Sequence, residues 1–194
     1  MVIIVPVFIS ILMLISNSWF SDKIVRIIYF YLLCASTVIM FFMIQDYKGI
    51  SEPINFIQFL ISILLIIIFY CSEVLLVNVI KNKILILDYS FYFTGKVKLS
   101  QLFLSLPILI MEEIVFRLPI LAFNAYIWLL CGITSLCFGL VHVYFSKQDM
   151  ISKVFLGFLL GCTLIISRNI YLVLLMHIFY NLLVFKTNVK DIVC

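Results

Sequence analysis

Residues 109–117 read LIMEEIVFR, in which two adjacent carboxylates and a guanidinium are enclosed by apolar side chains. Each such charge costs about 2.5–3.5 kcal/mol at the centre of a bilayer on insertion scales. On an α-helix, Arg117 lies one turn after Glu113, on the same face and within ion-pair reach. Glu112 points about 100° away around the helix, so its partner is expected on a different helix. The two carboxylates are therefore predicted to have different roles.

The composition around this stretch is that of a polytopic membrane protein. Of the 194 residues, 66% are hydrophobic and 11% are charged, whereas soluble domains have about 45–50% apolar and about 25% charged residues. The apolar runs are continuous and long, which favours helices over the short alternating strands of a membrane β-barrel. The net charge of +4 comes from basic residues at the ends of apolar runs, so it does not indicate nucleic-acid binding. The predicted fold is all-α, a polytopic transmembrane helical bundle.

Seven apolar runs approach the roughly 20 residues that a membrane-spanning helix needs. They cover about 2–20, 27–44, 54–80, 102–123, 126–145, 151–166 and 170–185. The segment from Lys81 to Ser100 is too short of apolar residues to cross and is predicted to lie along the membrane interface. We treat 1–194 as a single transmembrane domain, with N-terminal spans and an interfacial segment in 1–100 and the core helices, which begin with the charged span, in 101–185.

Two local patterns bear on how the core helices pack. Pro107 and Pro119 flank the charged group in the fourth span and predict a kink or a break there, because each proline removes a backbone hydrogen bond. Gly157 and Gly161 in the sixth span have the spacing that allows close helix–helix approach.

The basic residues predict the orientation of the bundle. With seven spans and the amino terminus outside, ten lysines and arginines fall on the cytoplasmic side. Only Lys48 and Arg168 fall on the other side, and Arg117 is counted on neither because it lies within a span. Since Lys and Arg of short loops concentrate in the cytoplasm, the prediction is an outside N-terminus and a cytoplasmic C-terminus.

The last four spans carry the polar side chains that suggest chemistry. The only two histidines of the chain, His142 and His177, both lie in predicted spans. Asn181 follows His177 by one turn, and Phe138 precedes His142 by one turn. A single intramembrane histidine is equally explained by an interhelical hydrogen bond, but two beside a carboxylate cluster favour a site. Glu73 in the third span has two open interpretations, a site role or a structural one, in which it snorkels to the interface or bonds to a neighbouring helix.

Three motifs in order carry a family resemblance: Glu112-Glu113-x-x-x-Arg117, Phe138-x-x-x-His142 and His177-x-x-x-Asn181. Together, on successive spans between about residues 101 and 185, they resemble the CPBP intramembrane proteases. That family contains the CAAX prenyl endopeptidases and the bacterial bacteriocin-processing and self-immunity (Abi) proteins.

The resemblance implies a role for each residue. Glu112 corresponds to the catalytic glutamate that activates a water, assisted by His142, and His177 with Asn181 corresponds to the pair that stabilises the oxyanion. Glu113, Arg117 and Phe138 are implied as supporting residues. The implied partners are membrane lipid and a hydrophobic, prenylated or leader-type peptide substrate, without nucleic acid, and the implied location is a bacterial plasma membrane.

Several alternatives stay open at the level of sequence. Glu112, His142 and His177 have the composition of an open zinc site, but the HExxH spacing is absent, and a metal-free mechanism is equally compatible. A proton-coupled transporter uses the same kinds of buried residue, although such proteins often have internal repeats and none is found here. A non-catalytic bacteriocin-immunity protein with the same fold is the third alternative.

Overall fold

The computed structural model describes residues 3–43, 52–82, 99–121, 124–143 and 147–190. These residues form seven α-helices and one short 3₁₀ turn, Asn124–Tyr126, and the described part contains no strand. The helices are α1 Ile4–Trp19, α2 Asp22–Met43, α3 Phe56–Asn82, α4 Leu99–Leu121, α5 Ile127–Leu140, α6 Lys147–Ser167 and α7 Ile170–Lys190. They correspond in number and order to the seven predicted runs, so the predicted all-α helical bundle is confirmed.

Apolar side chains cover the outside of the bundle as well as its core. Large hydrophobic residues are exposed on all seven helices, among them Trp19 at 79%, Phe56 at 71% and Ile166 at 71%. By length and composition, α2, α3 and α6 are able to cross a membrane, whereas α1, α5 and α7 have shorter apolar segments. Soluble proteins do not expose apolar surface on this scale, which marks contact with a membrane. The chain is therefore an integral membrane protein.

Helix α4 lies at the centre of the bundle and contacts α2, α5 and α7, with smaller contacts to α1 and α6. It runs without interruption from Leu99 to Leu121 although Pro107 and Pro119 both lie inside it. The predicted break at these prolines is therefore wrong, and the predicted kink stays a prediction. The helix persists because each proline removes only one backbone hydrogen bond, and the neighbouring helices hold the remaining turns in place.

The close approach of α5 and α6 depends on glycines from both helices. A Cβ atom on Gly157 would lie 3.1 Å from Phe138 Cδ1, and one on Gly161 would lie 2.5 Å from Cys131 Sγ. The predicted role of these two glycines is confirmed. From the other side, a Cβ on Gly139 would meet Val154 and the carbonyl oxygen of Met150, so the contact also needs a glycine that the spacing argument did not identify.

The start of α7 is held by a side-chain cap. Asn169 Oδ1 accepts a hydrogen bond of 2.9 Å from the amide of Leu172, and its amide group donates to the carbonyl oxygen of Glu52. The preceding residue, Arg168, has a φ of 50°, a left-handed conformation that ends α6 and reverses the chain. The turn and the cap determine where α7 begins. The bond from Asn169 to Glu52 also ties this point to the segment that precedes α3.

Several sequence predictions fall outside the described residues. They include the cytoplasmic or outside location of Lys48, Lys83, Lys96 and Lys98, and most of the interfacial segment 81–100. The five cysteines in the described part are all free thiols, Cys34, Cys71, Cys131, Cys137 and Cys162.

Candidate active site

The two adjacent carboxylates of α4 are both buried, and they point toward different neighbours. Glu112 is 6% exposed, Glu113 is 1% exposed and Arg117 is fully buried. Ionised side chains in this environment need partners that compensate for lost hydration. The partners found for the two glutamates come from different helices.

Two polar side chains lie near the same oxygen atom of Glu112, one bonded to it and one further away. The hydroxyl of Tyr29, from α2, donates a hydrogen bond of 2.6 Å to Glu112 Oε1. The Nε2 atom of His142 lies 3.9 Å from that oxygen, beyond direct hydrogen-bonding distance but within the span of one bridging water. The prediction that Glu112 finds its partner on a different helix is confirmed.

The sequence predicted that His142 lies inside the fifth span, but the structure places it just beyond the end of a helix. Helix α5 ends at Leu140, short of the predicted limit near residue 145, and His142 lies in the turn that follows. Its amide donates to the carbonyl oxygen of Gly139, three residues back. The carbonyl of Phe138, four residues back, instead lies 2.8 Å from His142 Nδ1. Carbonyls of a last helical turn lack the usual helical partner, and here a side chain supplies one.

That contact determines the tautomer of His142. Because a carbonyl oxygen only accepts hydrogen bonds, Nδ1 carries the hydrogen, and in the neutral ring Nε2 presents its lone pair. This lone pair is on the nitrogen that is 3.9 Å from Glu112. Two hydrogen-bond acceptors, one carboxylate oxygen and one imidazole nitrogen, therefore converge on the same small region.

Glu113 uses its two oxygens for two different bases. Its Oε2 lies 3.2 Å from Nε of Arg117, the predicted partner one turn along α4. Its Oε1 lies 2.6 Å from Nδ1 of His177, which comes from α7. The predicted ion pair is present, and the structure adds a link to His177 that the sequence did not reveal.

The ring of Phe138 lies against both histidines of the site and against Arg117. Its centroid lies 5.0 Å from that of His142 and 5.7 Å from that of His177, both at steep edge-on angles. The guanidinium carbon of Arg117 lies 4.8 Å from the same ring centroid. Edge-to-face ring pairs and a cation placed over a ring are both attractive arrangements. Both imidazoles therefore contact one shared aromatic side chain instead of facing away from each other.

Asn181 lies one turn after His177 on α7 and is partly exposed. Its backbone position is as predicted, and it is joined to the site through the helix that also carries His177. The structure thus brings Glu112, Glu113, Arg117, Phe138, His142 and His177 into one contact network and leaves Asn181 at the edge of that network.

Glu73 belongs to a second polar cluster. Its two oxygens accept hydrogen bonds from the hydroxyls of Ser152 on α6 and of Tyr180 on α7, the latter at 2.7 Å. Lys153 donates to the Tyr180 hydroxyl at 3.2 Å, and its ammonium lies 4.3 Å from the Tyr180 ring centroid. Of the two interpretations of Glu73, the structure supports bonding to neighbouring helices: it joins α3, α6 and α7 beside the turn that carries His177.

The residues named for a zinc ion do not fit one in this arrangement. A zinc site holds its protein ligands at about 2.0–2.2 Å from the ion, which brings the donor atoms of different ligands close together. Within the described ranges, no three His, Cys, Asp or Glu side chains are arranged to hold a metal. We therefore derive no step through a metal.

Sequence reasoning missed one side chain of the site, that of Tyr29. It lies on the buried face of α2 together with Val25 and Leu33. The sequence did not single out Tyr29, because it is one of ten tyrosines and nothing along α2 shows which helix packs against it. The only available signal was the requirement that Glu112 have a partner from another helix.

One comparison with known proteins bears on this site. Residues 94–183 match a family model described as type II CAAX prenyl endopeptidase Rce1-like. The matched range contains the three motifs, whereas Tyr29 and Glu73 lie before it. The match confirms the resemblance carried by those motifs. No curated protein and no solved structure matches the chain significantly.

Proposed function

Because residues 94–183 match the type II CAAX prenyl endopeptidase model, we propose that this chain is an intramembrane endopeptidase of the CPBP/CAAX protease family. It hydrolyses a peptide bond with a water activated by Glu112 and His142. The observation that carries the proposal is the convergence of Glu112 Oε1 and His142 Nε2, 3.9 Å apart, in the buried interior of the bundle.

In this proposal, one water donates its two hydrogens to the two acceptors. Its oxygen lone pair is then directed at the substrate carbonyl, which is the geometry that general-base catalysis requires. The water oxygen bonds to the carbonyl carbon while its proton passes to the Glu112–His142 pair. When the tetrahedral intermediate collapses, the carbon–nitrogen bond breaks and the same proton is delivered to the leaving amine.

The oxyanion of the intermediate is stabilised by His177 and Asn181. Donors positioned in advance in a low-dielectric site stabilise developing charge strongly. His177 needs a hydrogen on Nε2 for this task while its Nδ1 is bonded to Glu113.

The substrate we propose is a membrane-associated peptide, either prenylated or of the leader type. The chain lies in a bacterial plasma membrane with its N-terminus outside and its C-terminus in the cytoplasm. His142 follows the end of α5, which this orientation brings to the cytoplasmic side. A hydrophobic peptide thus reaches the site from that face or laterally from lipid.

The test is a cleavage assay on purified protein in detergent, with two fluorogenic probes. One is a farnesylated peptide with a CAAX carboxyl terminus, and the other is an unlipidated apolar leader peptide. We expect the wild type to cleave one of them and Glu112→Gln to lose activity by about 10²–10⁴-fold, with its melting temperature retained. Parallel reactions with and without a zinc chelator test metal dependence.

Glu73→Gln is the matched control, because Glu73 is buried to nearly the same extent, at 7% exposure, and lies in the other polar cluster. It is expected to keep the wild-type kcat when folded. Full activity in Glu112→Gln would remove that residue as the base. A wild type that cleaves neither peptide would contradict the protease proposal and favour the immunity or transporter alternatives.

A further inference from the structure

Helix α2 contributes a side chain to the site although it lies before the residues that match the protease family. Tyr29 is 5% exposed, and its hydroxyl donates a 2.6 Å hydrogen bond to Glu112 Oε1. A hydrogen bond from a neutral hydroxyl to a carboxylate is of the short, strong, charge-assisted type. Its length and burial distinguish it from an incidental contact.

The bond is directed at the oxygen that faces His142. Glu112 Oε1 receives the Tyr29 hydroxyl and is also the atom measured 3.9 Å from His142 Nε2. The Tyr29 and His142 rings lie edge to face, with centroids 6.4 Å apart. The terminal torsion of a glutamate is broad and has no strong intrinsic preference, so an external contact is needed to hold the carboxylate plane.

The helix that carries Tyr29 is itself held against α4. One turn further along the buried face of α2, Leu33 is fully buried, and the neighbouring Cys34 contacts the sulfur of Met111 at 3.7 Å. Met111 directly precedes Glu112. The hydroxyl therefore reaches Glu112 from a rigid element, which is the condition for a side chain to orient another precisely.

We propose that Tyr29 is a positioning residue for Glu112: its hydroxyl fixes the carboxylate so that Oε1 and His142 Nε2 hold the attacking water together. This inference deepens the proposed function and rests on it. It also assigns a task to the N-terminal helices, because the site is complete only when α2 is packed against α4.

The decisive variant is Tyr29→Phe, which removes one oxygen atom and keeps the ring. We expect kcat to fall on the order of ten- to a hundredfold, the range for loss of a hydrogen bond to a charged group. KM should stay within about twofold, because Tyr29 acts on the base and not on the bound peptide. A purely structural role would leave the kcat of the folded fraction intact, whatever the change in melting temperature.

Tyr70→Phe is the matched control. Tyr70 has the same exposure, 5%, and its ring lies against Tyr180 in the other polar cluster. The change removes the same atom from a buried tyrosine of α3. It is expected to keep the wild-type kcat. Equal kcat values for Tyr29→Phe and wild type, or equal losses in the two phenylalanine variants, would overturn the proposal.

A stability cycle keeps the inference separate from the protease proposal. Tyr29→Phe is measured by thermal unfolding in the wild type and in Glu112→Ala. With Glu112 present, the loss of the hydroxyl should lower the melting temperature, because the carboxylate loses a buried hydrogen bond. In the Glu112→Ala background this bond is already absent, so Tyr29→Phe should lower the melting temperature less than it does in the wild type.

The outcomes of the two measurements are distinguishable. If the wild type cleaves neither peptide while the cycle shows coupling, the protease proposal fails and the Tyr29–Glu112 bond stands as an orienting contact without catalysis. If the melting shifts are the same in both backgrounds, the bond is absent in solution and the positioning role is refuted, whatever the cleavage assay gives.

Discussion

At the scale of single residues, the two adjacent glutamates of α4 differ because their partners differ. Glu112 meets a hydroxyl and an imidazole nitrogen, at 2.6 and 3.9 Å. Glu113 meets a guanidinium and an imidazole, at 3.2 and 2.6 Å. With both oxygens engaged by basic groups, Glu113 is suited to hold Arg117 and His177 in position. In the proposed mechanism, Glu112 is the carboxylate that shares a water with His142.

Arg117→Ala tests the supporting role of this ion pair. Arg117 is fully buried, and its removal leaves Glu113 in the bundle without its neighbouring cation. Breaking a buried pair in this way costs about 3–5 kcal/mol in soluble proteins. We expect a loss of that order in the free energy of unfolding, measured by denaturant titration in mixed micelles.

Two further variants separate this effect from the mere loss of an arginine. Arg26→Ala, at an exposed position of α2, should change the stability by about 0.5 kcal/mol or less. Glu113→Gln combined with Arg117→Ala should recover part of the loss, because the uncompensated charge is removed. An Arg117→Ala protein as stable as Arg26→Ala would show that the pair does not stabilise the fold.

At the scale of helices, the site depends on how closely α6 approaches α5. Gly157 faces Phe138, and Phe138 lies between the two imidazoles. A change at Gly157 of α6 would therefore act on both histidines through the Phe138 ring. A ring packed on several sides has few ways to yield, since protein interiors are close-packed.

Gly157→Ala therefore should reduce catalysis more than its small volume suggests. The added Cβ would lie 3.1 Å from Phe138 Cδ1 and 3.2 Å from Ser135 Cα, so the ring or the helix must shift. We expect a several-fold lower kcat, with a destabilisation of about 1–3 kcal/mol from overpacking. Peptide cleavage and thermal unfolding, measured side by side, check both values.

Gly132→Ala on α5 is the control for adding a methyl group to a helical glycine. A Cβ there has no atom within 4 Å, so the change should keep activity and raise stability by up to about 1 kcal/mol through helix propensity. If Gly157→Ala behaves like Gly132→Ala in both assays, the close contact behind Phe138 has no influence on the site.

At the scale of the whole molecule, the N-terminal helices supply hydrogen-bond partners to polar residues of α4 and α7. The family match begins at residue 94, yet Glu112 is bonded to Tyr29 of α2, and Tyr180 is bonded to Glu73 of α3. The bundle thus surrounds the polar residues of α4 and α7 with side chains from both halves of the chain. Removal of α1–α3 would expose these buried groups, so the whole chain is expected to fold as one unit.

The orientation in the membrane is a prediction at the same scale. It rests on ten basic residues on the predicted cytoplasmic side against two outside. In a background without native cysteines, Lys48→Cys should react with an impermeant maleimide added to intact cells, and Lys96→Cys should react only after lysis. The reverse pattern would overturn the outside N-terminus and move the predicted substrate entry to the opposite face.

The sequence by itself determined the membrane class, the seven helices and the i,i+4 pair of Glu113 with Arg117. These follow from composition and from spacing along one helix, which are local properties. Ordered motifs on successive helices were also sufficient to indicate the family, because three weak patterns seldom occur together by chance. The predicted roles of Glu112, His142, His177 and Asn181 derive from that resemblance and stay predictions.

Only the tertiary structure decided which helices meet at the site. Tyr29 as a partner of Glu112 and His177 as a partner of Glu113 depend on contacts across 83 and 64 positions of sequence. Spacing along one helix does not indicate such contacts, because it shows at most which face of that helix is buried and not which helix packs against that face. The end of α5 before His142 was hidden for a related reason. The apolar run continues past Leu140, and it is the imidazole bound to the Phe138 carbonyl that replaces the next helical hydrogen bond.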